Sequence, residues 1–514
     1  MENIEQKKQK IKKWLKDPYH LALVGILLFS FILLIYYFNL TKTQTLWWDE
    51  AEYMSTAKHW AFDVDYNINP QRPPLFSFLI FILYSVGFGE LAIKFLLELV
   101  PMLLSVFFTY LLILEMYENK KLALLTAFIT SVSWIHIFYS MRFMTDTLSF
   151  LFGILAFFCF WKGYINKKGK TYIWLIGFFV ALSFLTKLTG ILYGLAILLF
   201  LFVTLQFDFL KDKDMWISFF ISLLTIAPYL IWSYFYYGNA LAFRSGYGEV
   251  SGKLGWHIIK LVYDYPELIF FVLFLVGLTT LIPMFLSLDR TILKKDKKYY
   301  NDFFITLTVI FALAFFIYFL RDVENRWLIL MSTGIFTISA KGILLVYNAI
   351  KRNFSKNISI ILLVILLFAG AYVQLKHTDN ITRLKVNTYV PVKEAALWIK
   401  ENSNPSDIII TSSITQNTYY AERKSVTFFN DKTQKYYTPE EYDQVILDLK
   451  PKYLIISVFE PAVPQWTYSY PQRNISMYQP VKAWFSDPQQ TQPILIIYEV
   501  NYEGNPGLNN SQSV

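Results

Sequence analysis

The chain has 514 residues, 55% of them hydrophobic and 19% aromatic, with a formal net charge of +9. Only 17% are charged, against about a quarter in globular proteins, which excludes a purely soluble enzyme and indicates a polytopic membrane protein with a soluble domain. The basic residues fall in short clusters between apolar runs, so the positive charge speaks for membrane orientation rather than nucleic-acid binding.

The single cysteine, Cys159, lies inside an apolar run and excludes an intramolecular disulfide or a cysteine zinc site. Residues 1–18 are basic and lack a small-residue cleavage site, which predicts an uncleaved anchor with a cytoplasmic N-terminus. A membrane span needs about 20 mostly apolar residues, and that rule gives about eleven spans. They are 19–39, 92–116, 121–140, 146–165, 171–187, 189–207, 215–237, 265–287, 302–320, 326–350 and 357–375. The shorter run 75–88 lies between a proline pair and glycines 87 and 89. It reads as an interfacial or re-entrant helix, with a full span as the alternative.

Every second connection is basic: the N-terminus, 120–121, 167–170, 211–213, 290–298 and 351–356. The positive-inside rule places these in the cytoplasm and the connections 41–91, 139–145, 187–188, 238–264 and 321–325 outside. An odd number of spans leaves the C-terminal domain outside as well. After about residue 376 the apolar runs shorten to strand length, at 407–413, 425–429, 453–459 and 494–500. Amphipathic helices are predicted at 392–402 and from about residue 438, with Thr438 as N-cap and Pro439 at the first helical position. The fold class is therefore a mainly α polytopic membrane protein. Its membrane domain is 19–375, with a first outer loop at 41–91. An extracytoplasmic α/β domain at 376–503 is large enough to bury its own core, and 504–514 is a polar tail.

The first outer loop opens on LWWDEAEY at 46–53, where Asp49, Glu50 and Glu52 stand beside Trp47 and Trp48. Tryptophans favour the membrane–water interface, and acids at that depth suggest a site working where water meets lipid. The bland alternative is a solvated loop. Arg72 follows, with its backbone fixed by Pro73 and Pro74. Arg142 and Asp146 in the second outer loop would stand one turn apart if helical, or form a surface pair of little consequence. Lys187 occupies a very short outward turn and could equally snorkel at a helix end. Arg321, Asp322, Glu324 and Arg326 crowd the fifth loop. Acids and bases contributed by distant spans thus converge on one membrane face.

Carboxylates suit general-base work on a hydroxyl or holding a divalent cation. Arginine and lysine suit a phosphate. Together they describe a site that stabilises a phosphate leaving group, with a lipid tail in the bilayer, while activating an acceptor. Lys94 and Glu98 lie in an apolar run, where an internal pair suffices to explain them. His59, His136 and His257 lack metal-ligand spacing. No glycine-rich nucleotide loop or nucleophile elbow is present.

In order, these residues resemble a GT-C glycosyltransferase of the protein O-mannosyltransferase and aminoarabinose-transferase type, over roughly residues 20–350 by the length and order of the matching elements. Trp48, Asp49, Glu50, Ala51, Glu52 and Tyr53 are similar to the family's D-E-A-x-Y loop, and Arg72 to Phe76 to its basic–proline–helix step. Phe88, Gly89 and Glu90 follow, with Lys94 where the family usually has arginine. Asp146 opens the fourth span, Leu185, Thr186 and Lys187 resemble its L-T-K turn, and Glu324 to Trp327 its E-x-R-Y start of a late span. The resemblance implies inverting transfer of a hexose or pentose from a polyprenyl-phosphate donor to an extracytoplasmic acceptor hydroxyl on a protein, lipid or glycan. It implies Asp49 as catalytic base and Asp146 as a second acid orienting the acceptor. Arg72, Lys187 and Arg326 would hold the departing phosphate, with Glu50, Glu52, Tyr53 and Arg142 also contacting substrate.

Gln71 stands where some relatives have glutamate, and the C-terminal domain matches no mannosyltransferase lectin module. Two rival classes are a transporter or flippase of a lipid-linked or anionic substrate, and a non-catalytic scaffold whose outer domain binds a partner. Few intramembrane charges and no visible inverted repeat count against the first. The convergent ionisable set counts against the second.

Overall fold

The computed structural model describes residues 16–244, 253–321, 324–430, 433, 435–460 and 463–502. Most of the basic N-terminus, Asp322 and the polar tail therefore lie outside the described residues.

Helix α1 (Pro18–Thr41) starts where Asp17 accepts the Tyr19 amide at 3.0 Å and Pro18 takes the first position, where a missing N–H costs nothing. Helices α2 (Trp48–Phe62) and α3 (Leu75–Ser85) occupy the first long connection. At 11 residues, α3 is too short to cross a bilayer. Helix α4 (Glu90–Tyr117) contains a π turn at Phe95–Leu99. The expected span 121–140 is instead two pieces, α5 (Lys120–Val132) and α6 (Trp134–Tyr139).

The break falls at Ser133, whose backbone is extended (φ −63°, ψ 125°). The Trp134 amide freed there donates to Gln374 Oε1 at 2.8 Å, and Gln374 Nε2 donates to the Tyr265 carbonyl at 2.9 Å. A distant side chain thus supplies the partner that the helix ladder lacks.

Helices α7 (Thr145–Ile165), α8 (Lys170–Thr186), α9 (Leu188–Leu205), α10 (Lys213–Tyr237), α11 (Glu267–Phe285), α12 (Lys297–Leu320) and α13 (Asn325–Asn353) follow. Next is α14 (Lys356–Lys385). Among the described residues, nine segments are long and apolar enough to cross a membrane: α1, α4, α7, α9 to α13, and Lys356–Asn402, which begins with α14. Helix α8 is apolar but has only 17 residues. The chain is a multi-pass membrane protein.

The chain forms two compact units. A membrane unit comprises 1–42, 70–76 and 90–384, and a loop–sheet unit comprises 43–69, 77–89 and 385–514. In the membrane unit, helices come close where glycine removes the side chain, as lipid-buried helices often require. A Cβ on Gly342 would lie 1.9 Å from the Leu273 carbonyl oxygen, and one on Gly277 would lie 1.9 Å from that of Ile338. Helices α11 and α13 therefore touch backbone to backbone. Gly342→Val is expected to cost about 1–3 kcal/mol or more through overpacking. Thermal unfolding in detergent should show a clear fall in midpoint. Gly25→Val, with nothing within 4 Å of the new Cβ, should show little change.

The loop–sheet unit holds α15 (Val390–Asn402), α16 (Ile414–Ala421) and α17 (Pro439–Leu449) around a five-stranded sheet. The strands are β1 (Ile408–Ile410), β2 (Lys424–Val426), β5 (Tyr453–Ser457), β6 (Tyr478–Phe485) and β7 (Pro493–Val500), with β3 (Phe429–Asn430) and β4 (Lys435–Tyr436) forming a separate antiparallel pair. The order is β2-β1-β5-β7-β6, with β2, β1 and β5 parallel and β7 and β6 antiparallel. Central β5 reads YLIIS and is buried throughout, as a strand covered on both faces requires.

Strand β6, not expected from the sequence, lies at the edge, where Pro480 and a register shift are tolerated. Helix α17 begins with a reciprocal cap: the Thr438 amide donates to Glu441 at 2.8 Å, and the Glu441 amide to Thr438 Oγ1 at 3.3 Å. The core of this unit gathers Ile410, Phe428, Tyr442, Ile446, Leu454 and Tyr470.

Candidate active site

In the membrane unit, three residues from three helix starts or turns meet. Asp146 stands in the first turn of α7, where the amide ends favour a carboxylate. Lys187 is the extended residue between α8 and α9 (φ −150°, ψ 130°), and Arg326 opens α13. Lys187 Nζ bonds Asp146 Oδ1 directly. Arg326 Nη1 lies 3.6 Å from Asp146 Oδ2, beyond hydrogen-bond length but within ion-pair range. Their side chains are 16%, 1% and 7% exposed for Lys187, Asp146 and Arg326. The Arg326 fork also clasps Glu324, Nε to Oε2 at 2.8 Å and Nη2 to Oε1 at 3.2 Å.

Glu324 is 57% exposed and therefore well solvated. Away from water, the Lys187 and Arg326 cations thus share the Asp146 carboxylate. Two cations that line one pocket suit an anion. Ser149, Phe150 and Tyr193 line the same small pocket.

Glu98, to which the sequence assigns no role, anchors this turn. Its Oε1 accepts the Met144 amide at 2.9 Å, two residues before Asp146. Glu98 sits in the π turn of α4, which turns the side chain toward the 140–144 loop. Arg142 lies in that loop, 1% exposed, and so is neither on α7 with Asp146 nor at the surface. Tyr139 is within electrostatic range of Arg142, Asp146, Glu324 and Arg326. Lys94 is buried and donates to Thr41 Oγ1 at 3.4 Å. Arg72, partly buried, lies in the segment 70–76 of this unit. His136 is a core residue, 3.0 Å from Ser332 Oγ, with its ring tilted 45° against that of Phe150.

The loop–sheet unit carries the other acids, on α2. Asp49 and Glu50 are in its first turn. Glu50 is fully buried and accepts the Trp47 amide at 2.6 Å, closing the helix start. Glu52 accepts from Trp48 Nε1 and from Asn69 Nδ2, both at 3.1 Å. Tyr53 is buried, whereas Asp49 is only partly so. Glu50 and Glu52 thus shape the loop, and Asp49 is the least buried of the three acids. Among the described residues, no group of three or more His, Cys, Asp or Glu is placed to hold a metal ion.

Helix α16 packs on α2 within the same unit. The Leu46 amide donates to the Tyr420 hydroxyl at 3.0 Å, and Tyr84 and Tyr419 hydroxyls are 3.2 Å apart. Lys58 Nζ donates to the Tyr419 carbonyl at 3.2 Å, pairs with Glu422 at 2.9 Å and lies 4.1 Å from the Tyr419 ring centre. Lys400 binds the other Glu422 oxygen at 2.6 Å. Burial pushes the Glu422 pKa up, but the hydrogen bonds and charges of Lys400 and Lys58 outweigh it and hold the carboxyl below the usual glutamate range.

A carboxyl lowered on folding stabilises above its unfolded pKa, and that contribution is lost as pH falls through the folded one. Protection factors of the α2 amides, which correct for the pH dependence of intrinsic exchange, are therefore expected to fall below the ordinary glutamate range. In Glu422→Gln they should already be low at neutral pH and change little with acidification.

The architecture is the GT-C glycosyltransferase fold. The chain is similar to the crystal structure of ArnT from Cupriavidus metallidurans bound to undecaprenyl phosphate, at 11% identity and a TM-score of 0.66, over 96% of this chain and 100% of that one. It is also similar to the archaeal oligosaccharyltransferase AglB from Archaeoglobus fulgidus in complex with an inhibitory peptide and a dolichol-phosphate. There the identity is 13% and the TM-score 0.59, over 94% of this chain and 75% of that one. More narrowly, residues 71–232 match the family model described as dolichyl-phosphate-mannose-protein mannosyltransferase. Among curated proteins, no sequence match is found.

Proposed function

We propose that this protein is an integral-membrane glycosyltransferase that moves a sugar from a polyprenyl-phosphate donor to an acceptor hydroxyl on the extracytoplasmic side. The observation that carries the reading is the pocket where Lys187 and Arg326 meet on the buried Asp146. The undecaprenyl phosphate bound by the similar ArnT structure supports the same donor class.

In the proposed reaction the acceptor oxygen attacks the anomeric carbon and the bond from that carbon to the phosphate oxygen breaks. The electron pair leaves on polyprenyl phosphate, whose added charge is met by Lys187, Arg326 and Arg72, all set before reaction. The acceptor proton passes to the Asp49 carboxylate. Asp146 holds Lys187 and Arg326 in place and helps orient the acceptor. Glu50, Glu52, Tyr53 and Arg142 shape the substrate contacts. A single displacement of this kind inverts the anomeric centre.

The test uses purified protein in lipid nanodiscs, polyprenyl-phosphate hexoses and pentoses carrying a radiolabel, and protein, lipid and glycan acceptors. Label in a covalent product with release of polyprenyl phosphate is the expected result. Label that crosses a vesicle membrane with no covalent product would replace this reading with that of a transporter. Mass spectrometry of glycoconjugates lost on gene deletion would identify the acceptor.

A further inference from the structure

We propose that the C-terminal domain serves the reaction by positioning the acid-bearing helix α2, through a clamp made by α16. The inference rests on the reading above that Asp49 on α2 is the base. The contacts that support it are independent of that reading and lie wholly within the loop–sheet unit.

Helix α2 is held at both ends by one short segment of the C-terminal domain. Ahead of its N-terminus, the Leu46 amide has no place in the α2 ladder and donates to Tyr420. Near its C-terminus, Lys58 donates to the Tyr419 carbonyl in the last turn of α16 and pairs with Glu422, the residue that ends that helix in a left-handed conformation (φ 55°). Each helix thus satisfies an end of the other: α16 takes a free amide ahead of α2, and α2 supplies a cation to the carbonyl end of α16. The second helix of the loop, α3, joins through the hydroxyl pair of Tyr84 and Tyr419.

Helix α16 is itself fixed. Residues 415–421 are all buried, and Glu422 is tied to α15 through Lys400. Asn417 Nδ2 reaches Ser425 in β2 at 2.9 Å. Rigidity of the sheet is therefore passed to the first turn of α2, where Asp49 stands. A general base must be held within a fraction of an ångström of the proton it takes. A connection as long as 43–69 needs such an external support.

Lys58, Tyr419, Tyr420 and Glu422 are assigned as positioning residues. The experiment compares full-length wild type, Lys58→Met, Lys58→Arg and Tyr420→Phe in nanodiscs. It follows hydrogen exchange over residues 46–62 and the kinetics of sugar transfer from a polyprenyl-phosphate sugar. Lys58→Met and Tyr420→Phe are expected to speed exchange over 46–62 at least tenfold. They should lower kcat about tenfold and leave KM for the donor within twofold. Lys58→Arg, which keeps the cation, should retain most of both. Unchanged exchange in Lys58→Met and Tyr420→Phe would overturn the clamp. Faster exchange with unchanged kcat would reduce it to a structural contact. A wild-type chain that transfers no sugar from any donor would instead remove the functional reading, and the exchange measurement would still decide whether α16 holds α2.

Discussion

Asp49→Asn is expected to lower kcat for sugar transfer by roughly 10²- to 10⁴-fold, the span typical of a lost general base. The substitution keeps size and one acceptor oxygen, so α2 should hold its shape. Glu50 still closes the helix start through the Trp47 amide, and Glu52 still takes Trp48 and Asn69. Circular dichroism and thermal midpoint should match wild type, and KM for the donor should move little, because the cations proposed to meet phosphate lie in other segments. Glu52→Gln is a useful contrast. Its carboxylate is buried against an indole N–H and an amide, so its loss should show in stability before rate. Turnover in Asp49→Asn within threefold of wild type would take Asp49 out of the chemistry.

The second large effect is expected at Asp146. Asp146→Leu strips the carboxylate from between two buried cations. Among the described residues it is the acid paired with Lys187, and it is 1% exposed. Arg326 keeps Glu324, which is mostly in water, but Lys187 loses the carboxylate it is bonded to. Breaking one side of a buried pair costs about 3–5 kcal/mol, whereas replacing both sides with apolar groups is often close to neutral. Asp146→Leu should therefore melt well below wild type in detergent, and Asp146→Leu with Lys187→Leu should recover much of the loss. Both should be inactive. A double variant as unstable as the sum of the two singles would mean that the two side chains do not interact.

These residues were legible because membrane topology constrains sequence strongly. The alternation of basic connections assigns Asp146, Lys187 and Arg326 to one face, and the fold brings their side chains together. The cap at Thr438 and Pro439 was legible for a local reason, since both partners sit within one turn. What escaped depends on distant partners. Nothing around Ser133 marks a break, because the amide it frees is met by Gln374, 240 positions away. Glu98 reads in the sequence as half of an internal pair with Lys94, because nothing local points to the backbone amide in another turn that it accepts. Helix α16 (ITQNTYYA) has no apolar stripe to betray it, since polar side chains are buried against neighbours on every side. Strand β6 carries Pro480, which a central strand would not accept, and only its edge place makes it tolerable.

The hydrogen bond from Leu46 to Tyr420 joins residues 374 positions apart. A ribosome making this chain completes the first loop early and its brace almost last. Until the final quarter emerges, the acidic loop lacks its mould, so a half-made chain is expected to be catalytically silent. For the same reason, chimaeras that exchange only the C-terminal domain between related chains should fail unless residues 43–89 travel with it.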